Sequence, residues 1–163
     1  MLEALLSFQA WMQSWLTAEA GLGGLWLSAF LSATVLPGSS EVVMVALITA
    51  YPDMAWPAFA VALLGNVAGA LLTFWMGHAA RRGYARFQRL KWQLDPAAMQ
   101  RLHRLGPPAL FLSFVPLIGD AMVLAAGWLK LPLAKCVLWM TLGKGLRYYM
   151  ILLGVQGVLS LGA

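Results

Sequence analysis

The chain is poor in the residues that build catalytic and metal centres, with one cysteine, two histidines and six acidic residues among 163. A lone Cys136 excludes an intramolecular disulfide and carries no sign of a redox role. His78 and His103 have no cysteine or acidic residue at ligand spacing, so no metal centre is expected. No serine, cysteine or histidine constellation supports hydrolysis or group transfer, so neither an enzymatic activity nor a cofactor is expected. Charge is scarce too: 10% of residues are charged, against about 25% in soluble domains. With 61% hydrophobic residues and a mean hydropathy of +0.77, water alone could not solvate this surface, and the chain reads as an integral membrane protein. No linker or low-complexity stretch divides it. We read an N-terminal amphipathic segment, 1–20, and a single membrane domain, 21–163.

Basic residues are missing from positions 1–80 and crowded just beyond them. Arg81, Arg82, Arg86, Arg89, Lys91, Arg101 and Arg104 face only Asp95 as a counter-charge. By the positive-inside rule the segment 78–106 is expected to be cytoplasmic. Such a run can also read as a nucleic-acid patch, but membrane segments lie on both sides of it and no recognition motif accompanies it. Contact with anionic lipid headgroups is the expected use, and no nucleic acid is expected as a partner.

At the start, Leu5, Phe8, Met12, Trp15 and Leu16 recur at helical spacing, with Glu3, Ser7 and Ser14 on another face. This predicts an amphipathic helix lying in the membrane interface. Ala18-Glu19-Ala20 resembles a signal-peptidase site, but there is no basic region before it and Gln9, Gln13 and Ser14 interrupt the apolar stretch, so cleavage is not expected.

Two carboxylates sit inside apolar sequence, each four residues after a proline. The first stretch is Val35-Leu36-Pro37-Gly38-Ser39-Ser40-Glu41 and the second Phe114-Val115-Pro116-Leu117-Ile118-Gly119-Asp120. Both run apolar, break at proline among small residues, present an acid, and leave as a short apolar run. An ionised carboxylate at bilayer depth costs several kcal/mol, so each should face protein or water and is a functional candidate. Two in equivalent places suggest an inverted repeat.

Met54 to Gly77 is the one clean spanning segment, since about 20 apolar residues cross the hydrocarbon core. Pro37-Gly38-Ser39-Ser40 is poor helix sequence, and broken backbone at depth is tolerated only inside protein or along a wet cavity. The expected fold is therefore all-α. Re-entrant helical hairpins at about 22–51 and 106–130 are each followed by a transmembrane helix, 54–77 and 133–160, and the two halves have opposite orientation. Four to six plain spanning helices with two snorkelling acids is the competing arrangement.

The last segment places Lys144 and Arg147 on one helical face, with uncharged sequence on both sides. Two cations and two acids within one membrane domain imply mutual neutralisation, an anionic ligand, or both. Arg147 suits bidentate phosphate contact and Lys144 a point charge. Gly65-Asn66-Val67-Ala68-Gly69 has the GxxxG spacing of close helix packing, with Asn66 as a buried polar group near the acids. Trp11, Trp15, Trp26, Trp56, Trp92 and Trp128 lie near segment ends, as interfacial anchors do.

Taken in order, Leu36-Pro37-Gly38-Ser39-Ser40-Glu41, Gly65-Asn66-x-x-Gly69 with Gly77, Phe114-x-Pro116-x-x-Gly119-Asp120, Ala126-Gly127 and Gly143-Lys144-x-x-Arg147-Tyr148 resemble the DedA superfamily, also called the SNARE-associated Golgi protein or VTT-domain family. The match is best with its small YqaA-like branch and covers about 22–155. The resemblance implies two re-entrant hairpins in an inverted repeat, a bacterial inner-membrane location, and transport of lipid, undecaprenyl phosphate or phospholipid, dependent on the proton-motive force. Glu41 matches the family's acid in the first hairpin. The chain departs from the pattern elsewhere. Its second hairpin has no arginine beside Pro116, Ala70 stands where a helix acid is usual, and Phe74 and His78 replace a typical Tyr and Arg.

The expected function is movement of a phosphate-bearing lipid between leaflets, with Glu41 and Asp120 exchanging protons or gating. Lys144 and Arg147 would hold the headgroup, and Asn66, Pro37, Pro116, Ser39, Ser40 and Gly119 would support the site. Membrane lipids and protons are the expected partners, and a homo-oligomer is open. A proton-coupled carrier of a small solute or ion, and a non-transporting membrane scaffold, are the alternatives.

Overall fold

The computed structural model describes residues 18–34, 39–87 and 104–161. The expected interfacial helix, Pro37 and most of the basic segment lie outside the described residues. The helices are α1 (Ala18–Ser32), α2 (Ser39–Ala50), α3 (Ala55–Phe87), α4 (Ile118–Trp128) and α5 (Leu133–Leu161). A 3-10 turn, Pro52–Met54, leads into α3, and a 3-10 helix, Pro107–Phe114, precedes α4. Among the described residues there is no strand, so the all-α expectation holds.

Helix α1 returns antiparallel along α2. The Ser32 and Ser40 hydroxyls meet at 3.1 Å at one end of the pair, while Gly21 faces the Leu47 side chain at the other. The second hairpin differs in its first limb, which is 3-10 rather than α-helical. Consecutive Pro107 and Pro108 supply no backbone N–H to an α-helical start and fix φ at the opening of the segment. The turn into α4 is sharp. Ile118 N–H donates to the Pro116 carbonyl at 2.7 Å, with Leu117 at φ 66 and ψ −55 between them. That is a γ-turn with positive φ, a rare and strained conformation for leucine.

The two long helices carry the hairpins, and glycine is what lets them approach. A Cβ on Gly65 or Gly69 of α3 would run into the Trp26 or Phe30 carbonyl of α1. One on Gly143 of α5 would meet the Phe111 carbonyl of the 3-10 helix. Further along α3, Gly77 sits against the Leu124 carbonyl of α4, and Gly127 of α4 against that of Phe74. Close approach of this kind replaces hydrophobic drive, which apolar lipid does not supply, by van der Waals contact.

The core falls into two clusters joined end to end. One gathers Leu25, Ala29, Met44, Ile48, Ala58 and Ala62 with Tyr148 and Leu152, binding the first hairpin to the start of α3 and the far half of α5. The other gathers Ala70, Phe74, Leu110, Met122 and Val123 with Cys136 and Met140, binding the second hairpin to the far half of α3 and the start of α5. Helices α3 and α5 are therefore antiparallel. The spanning segment expected at 54–77 continues as helix to Phe87, carrying Arg81 with it. By length and composition Pro52–Arg81 is, among the described residues, the one helix that qualifies to cross a membrane.

Candidate functional site

Each acid stands at the third position of the helix that follows its break: Glu41 in α2, which begins at Ser39, and Asp120 in α4, which begins at Ile118. The first turn of a helix favours a negative charge, because its free N–H groups point that way. Asn66 and Lys144 are matched in the same manner, each the twelfth residue of its long helix, counted from Ala55 and from Leu133, and each follows a close-packed glycine. These four positions meet at the junction of the two core clusters.

Both cations come from α5, and each takes one acid. Lys144 Nζ lies 2.8 Å from Asp120 Oδ1 and also donates to Asn66 Oδ1. Arg147 pairs with Glu41 through Nε and Nη2. The pairs differ in depth: the Lys144 and Asp120 side chains are 2% and 25% exposed, those of Arg147 and Glu41 12% and 32%. In both, the cation is the inner member and the carboxylate the outer one.

A chain of neutral groups runs from the Lys144 pair to Ser40, the residue before Glu41, and ends on the Ala29 carbonyl. Asn66 Nδ2 donates to Tyr148 Oη at 3.0 Å, with Ser32 Oγ at 3.1 Å and the Ala29 carbonyl at 3.2 Å as further acceptors. Tyr148 Oη and Ser40 Oγ are 2.8 Å apart, and Ser40 Oγ meets Ser32 Oγ. Asn66, Ser32, Ser40, Lys144 and Tyr148 are all buried. No buried side-chain nitrogen or oxygen lacks a partner among the described residues, which is what lets so many polar atoms persist among apolar packing.

Of the residues singled out in the sequence, Glu41, Asp120, Lys144, Arg147, Asn66 and Ser40 come together here. Gly119 packs against the Ser113 backbone, Pro116 accepts the γ-turn hydrogen bond, and Ser39 opens α2. Tyr148, present in the sequence only as the end of a motif, and Ser32 join the site as well. An uncharged Tyr or Ser in an apolar segment carries no signal until the fold shows what it touches. His78 is not part of this site; its ring packs edge-on against Trp75, with centroids 5.6 Å apart.

Arranged this way, the residues define a class: an all-helical membrane protein with two charged pairs, each with its cation inside and its carboxylate outside, where two helical hairpins meet two long helices. The VTT domain model matches residues 36–156. Inner membrane protein YqaA of Escherichia coli is 36% identical over 139 residues, spanning 85% of this chain and 94% of the relative, and the Shigella flexneri protein of that name matches equally. An uncharacterized protein of Haemophilus influenzae is 37% identical over 137 residues, 78% of this chain and 83% of its own. No solved structure matches. The chain belongs to the VTT-domain or DedA superfamily, on its YqaA-like branch, whose two relatives of that name are described as inner membrane proteins.

Proposed function

We propose that this protein moves a phosphate-bearing lipid, undecaprenyl phosphate or a phospholipid, between the leaflets of the bacterial inner membrane without changing it chemically. The observation that carries the reading is the surrounding of the two outward-facing acids. Val42, directly after Glu41, is 70% exposed, while Leu117 and Ile118, just before Asp120, are 62% and 54% exposed. Charge and open apolar surface thus lie side by side at both breaks, which suits a ligand with an anionic head and a hydrocarbon tail better than a small hydrophilic solute.

The same lengths support re-entrant hairpins in an inverted repeat. Helix α2 has 12 residues and α4 has 11, so at 1.5 Å per residue neither reaches beyond about 18 Å, well short of the roughly 30 Å hydrocarbon core. Helix α3, with 33 residues, and α5, with 29, run about 50 and 43 Å and are long enough to span it. Each hairpin would enter from the side its long helix leaves, and the basic run after α3 would lie in the cytoplasm.

In this scheme an anionic headgroup takes the place of a carboxylate on its cation. Arg147, the shallower cation, offers the planar fork that matches phosphate oxygens, and Lys144 supplies a point charge three residues before it. A displaced or protonated Glu41 or Asp120 removes negative charge as the phosphate brings its own, so net charge at depth stays low. Protons are the coupling ions.

Leaflet translocation in proteoliposomes tests the reading, with labelled undecaprenyl phosphate and a labelled phospholipid compared for wild type and Glu41→Gln. Flipping that the substitution abolishes supports it. No flipping of either lipid by folded protein overturns it in favour of a solute carrier or a scaffold.

A further inference from the structure

We propose that Asn66 and Tyr148 form a directed hydrogen-bond relay through which the state of the Lys144–Asp120 pair sets the position and proton affinity of Glu41. The relay deepens the reading of the two acids as proton-exchanging groups and rests on it in that respect alone. It does not depend on which cargo moves.

The direction follows from counting protons. An ammonium group has three donors and no acceptor, so the Asn66 atom that faces Lys144 Nζ is Oδ1. The amide is then locked, and Nδ2 points to Tyr148 Oη. Tyr148 already accepts from Asn66, so its single proton goes to its other hydrogen-bond partner among the described residues, Ser40 Oγ, at 2.8 Å. Ser40 in turn passes its proton to Ser32 Oγ, and Ser32 donates to the Ala29 carbonyl at 3.0 Å. The donors along this branch point the same way, from Lys144 to Ser32, and each bond polarises the next; a shorter branch runs from Asn66 Nδ2 directly to Ser32 Oγ and the Ala29 carbonyl and leaves Ser40 aside.

Its two ends are what give the chain a use. Lys144 is held by Asp120, and Ser40 immediately precedes Glu41, whose own counter-charge is Arg147. If Asp120 takes up a proton or turns away, the ammonium leans on Asn66 alone; if Lys144 gives up a proton, its amine becomes an acceptor and the amide is free to reverse. Either event alters what Tyr148 offers to Ser40 at the start of α2. Among the described residues, Arg147 pairs with Glu41 and the Tyr148 hydroxyl feels the Glu41 charge, Lys144 pairs with Asp120, and Arg147 repels Lys144 directly through space. The relay exists on one side only. Four residues beyond Lys144 stands Tyr148, whereas four beyond the matching Asn66 stands Ala70, so α5 reaches the first hairpin and α3 has no counterpart for the second.

Tyr148 and Asn66 are positioning residues, and the test must see coupling rather than mere integrity. Protein reconstituted in phosphatidylcholine vesicles is titrated while the infrared carboxyl band of Glu41 is followed, assigned by its loss in Glu41→Gln. Asp120→Asn is expected to change the proton affinity of Glu41 by about threefold or more, the lower end of couplings within one hydrogen-bond network. In a Tyr148→Phe background, which keeps the ring and removes the hydroxyl, that change should fall by at least half. Ser40→Ala cuts the next link and serves if Tyr148→Phe does not fold. An equal change in wild-type and relay-cut backgrounds would mean that the pairs feel each other only through space, and no change in either would mean that they are uncoupled; both overturn the relay. Absence of lipid flipping alongside a relay-dependent change would instead overturn the cargo.

Discussion

A buried ammonium is stable only while something negative stays beside it. Lys144 is 1% exposed, so removing its partner leaves a charge with no water to turn to. Asp120→Ala is expected to cost about 3 kcal/mol, the low end for breaking a buried pair because Asp120 is itself partly exposed. The double variant Asp120→Leu with Lys144→Met should recover most of that loss, since apolar replacements of similar volume remove the desolvation cost of both charges. Thermal unfolding in detergent micelles reads the difference, and a double variant no more stable than Asp120→Ala would show that the pair contributes through something other than charge. Arg147→Lys probes the shallower pair. It keeps the charge beside Glu41 but loses the fork, so lipid translocation should fall more than stability does.

How far the site was legible differs residue by residue, and for a physical reason. A charge inside apolar sequence is conspicuous because the bilayer makes it costly, so Glu41, Asp120, Lys144 and Arg147 stand out in the chain alone. Their partition, Lys144 with Asp120 and Arg147 with Glu41, depends on how α5 turns against two hairpins, which spacing of three residues cannot decide. Tyr148, Ser32 and Thr73, whose hydroxyl donates to the Ala33 carbonyl at 2.9 Å, acquire meaning only from contacts that are distant in sequence.

At the scale of the element, proline and glycine do the sorting. Pro116 marks the break before α4, and the hairpin limits expected at about 22–51 and 106–130 lie within a few residues of α1–α2 and of Pro107–Trp128. The 3-10 character of Pro107–Phe114 was not legible, because an apolar run of that length suits several helical geometries equally. Glycines, by contrast, look alike in sequence and differ sharply in place. Gly127→Ala would push a methyl group into the Phe74 backbone and should destabilise by about 1–3 kcal/mol. Gly24→Ala meets nothing within 4 Å and should leave unfolding unchanged or raise its midpoint slightly. Chemical unfolding of the two variants separates packing glycines from incidental ones. The γ-turn gives a matching pair. Leu117→Gly relieves positive φ and should stabilise by up to about 1 kcal/mol, whereas Leu117→Pro, with φ confined near −65°, cannot make the turn and should abolish folding.

For the whole molecule the decisive quantity is direction. Arg81, near the far end of α3, donates to the Trp128 carbonyl at the end of α4, and Lys130 and Lys135 follow at once in the chain. Asp53, before the start of α3, is exposed at the opposite end, about 40 Å away along a helix that rises 1.5 Å per residue. A hairpin pair that opposes another across the membrane therefore requires Asp53 and Lys135 to face different compartments. The chain's own Cys136 is fully buried, and Cys136→Ala removes it as a background. In that background, a membrane-impermeant maleimide should label Asp53→Cys in intact spheroplasts and Lys135→Cys only in inside-out vesicles. Labelling of both from one side would mean that α3 and the second hairpin together cross an even number of times, and the inverted arrangement, with the alternating exposure of Glu41 and Asp120 that transport would use, would have to be given up.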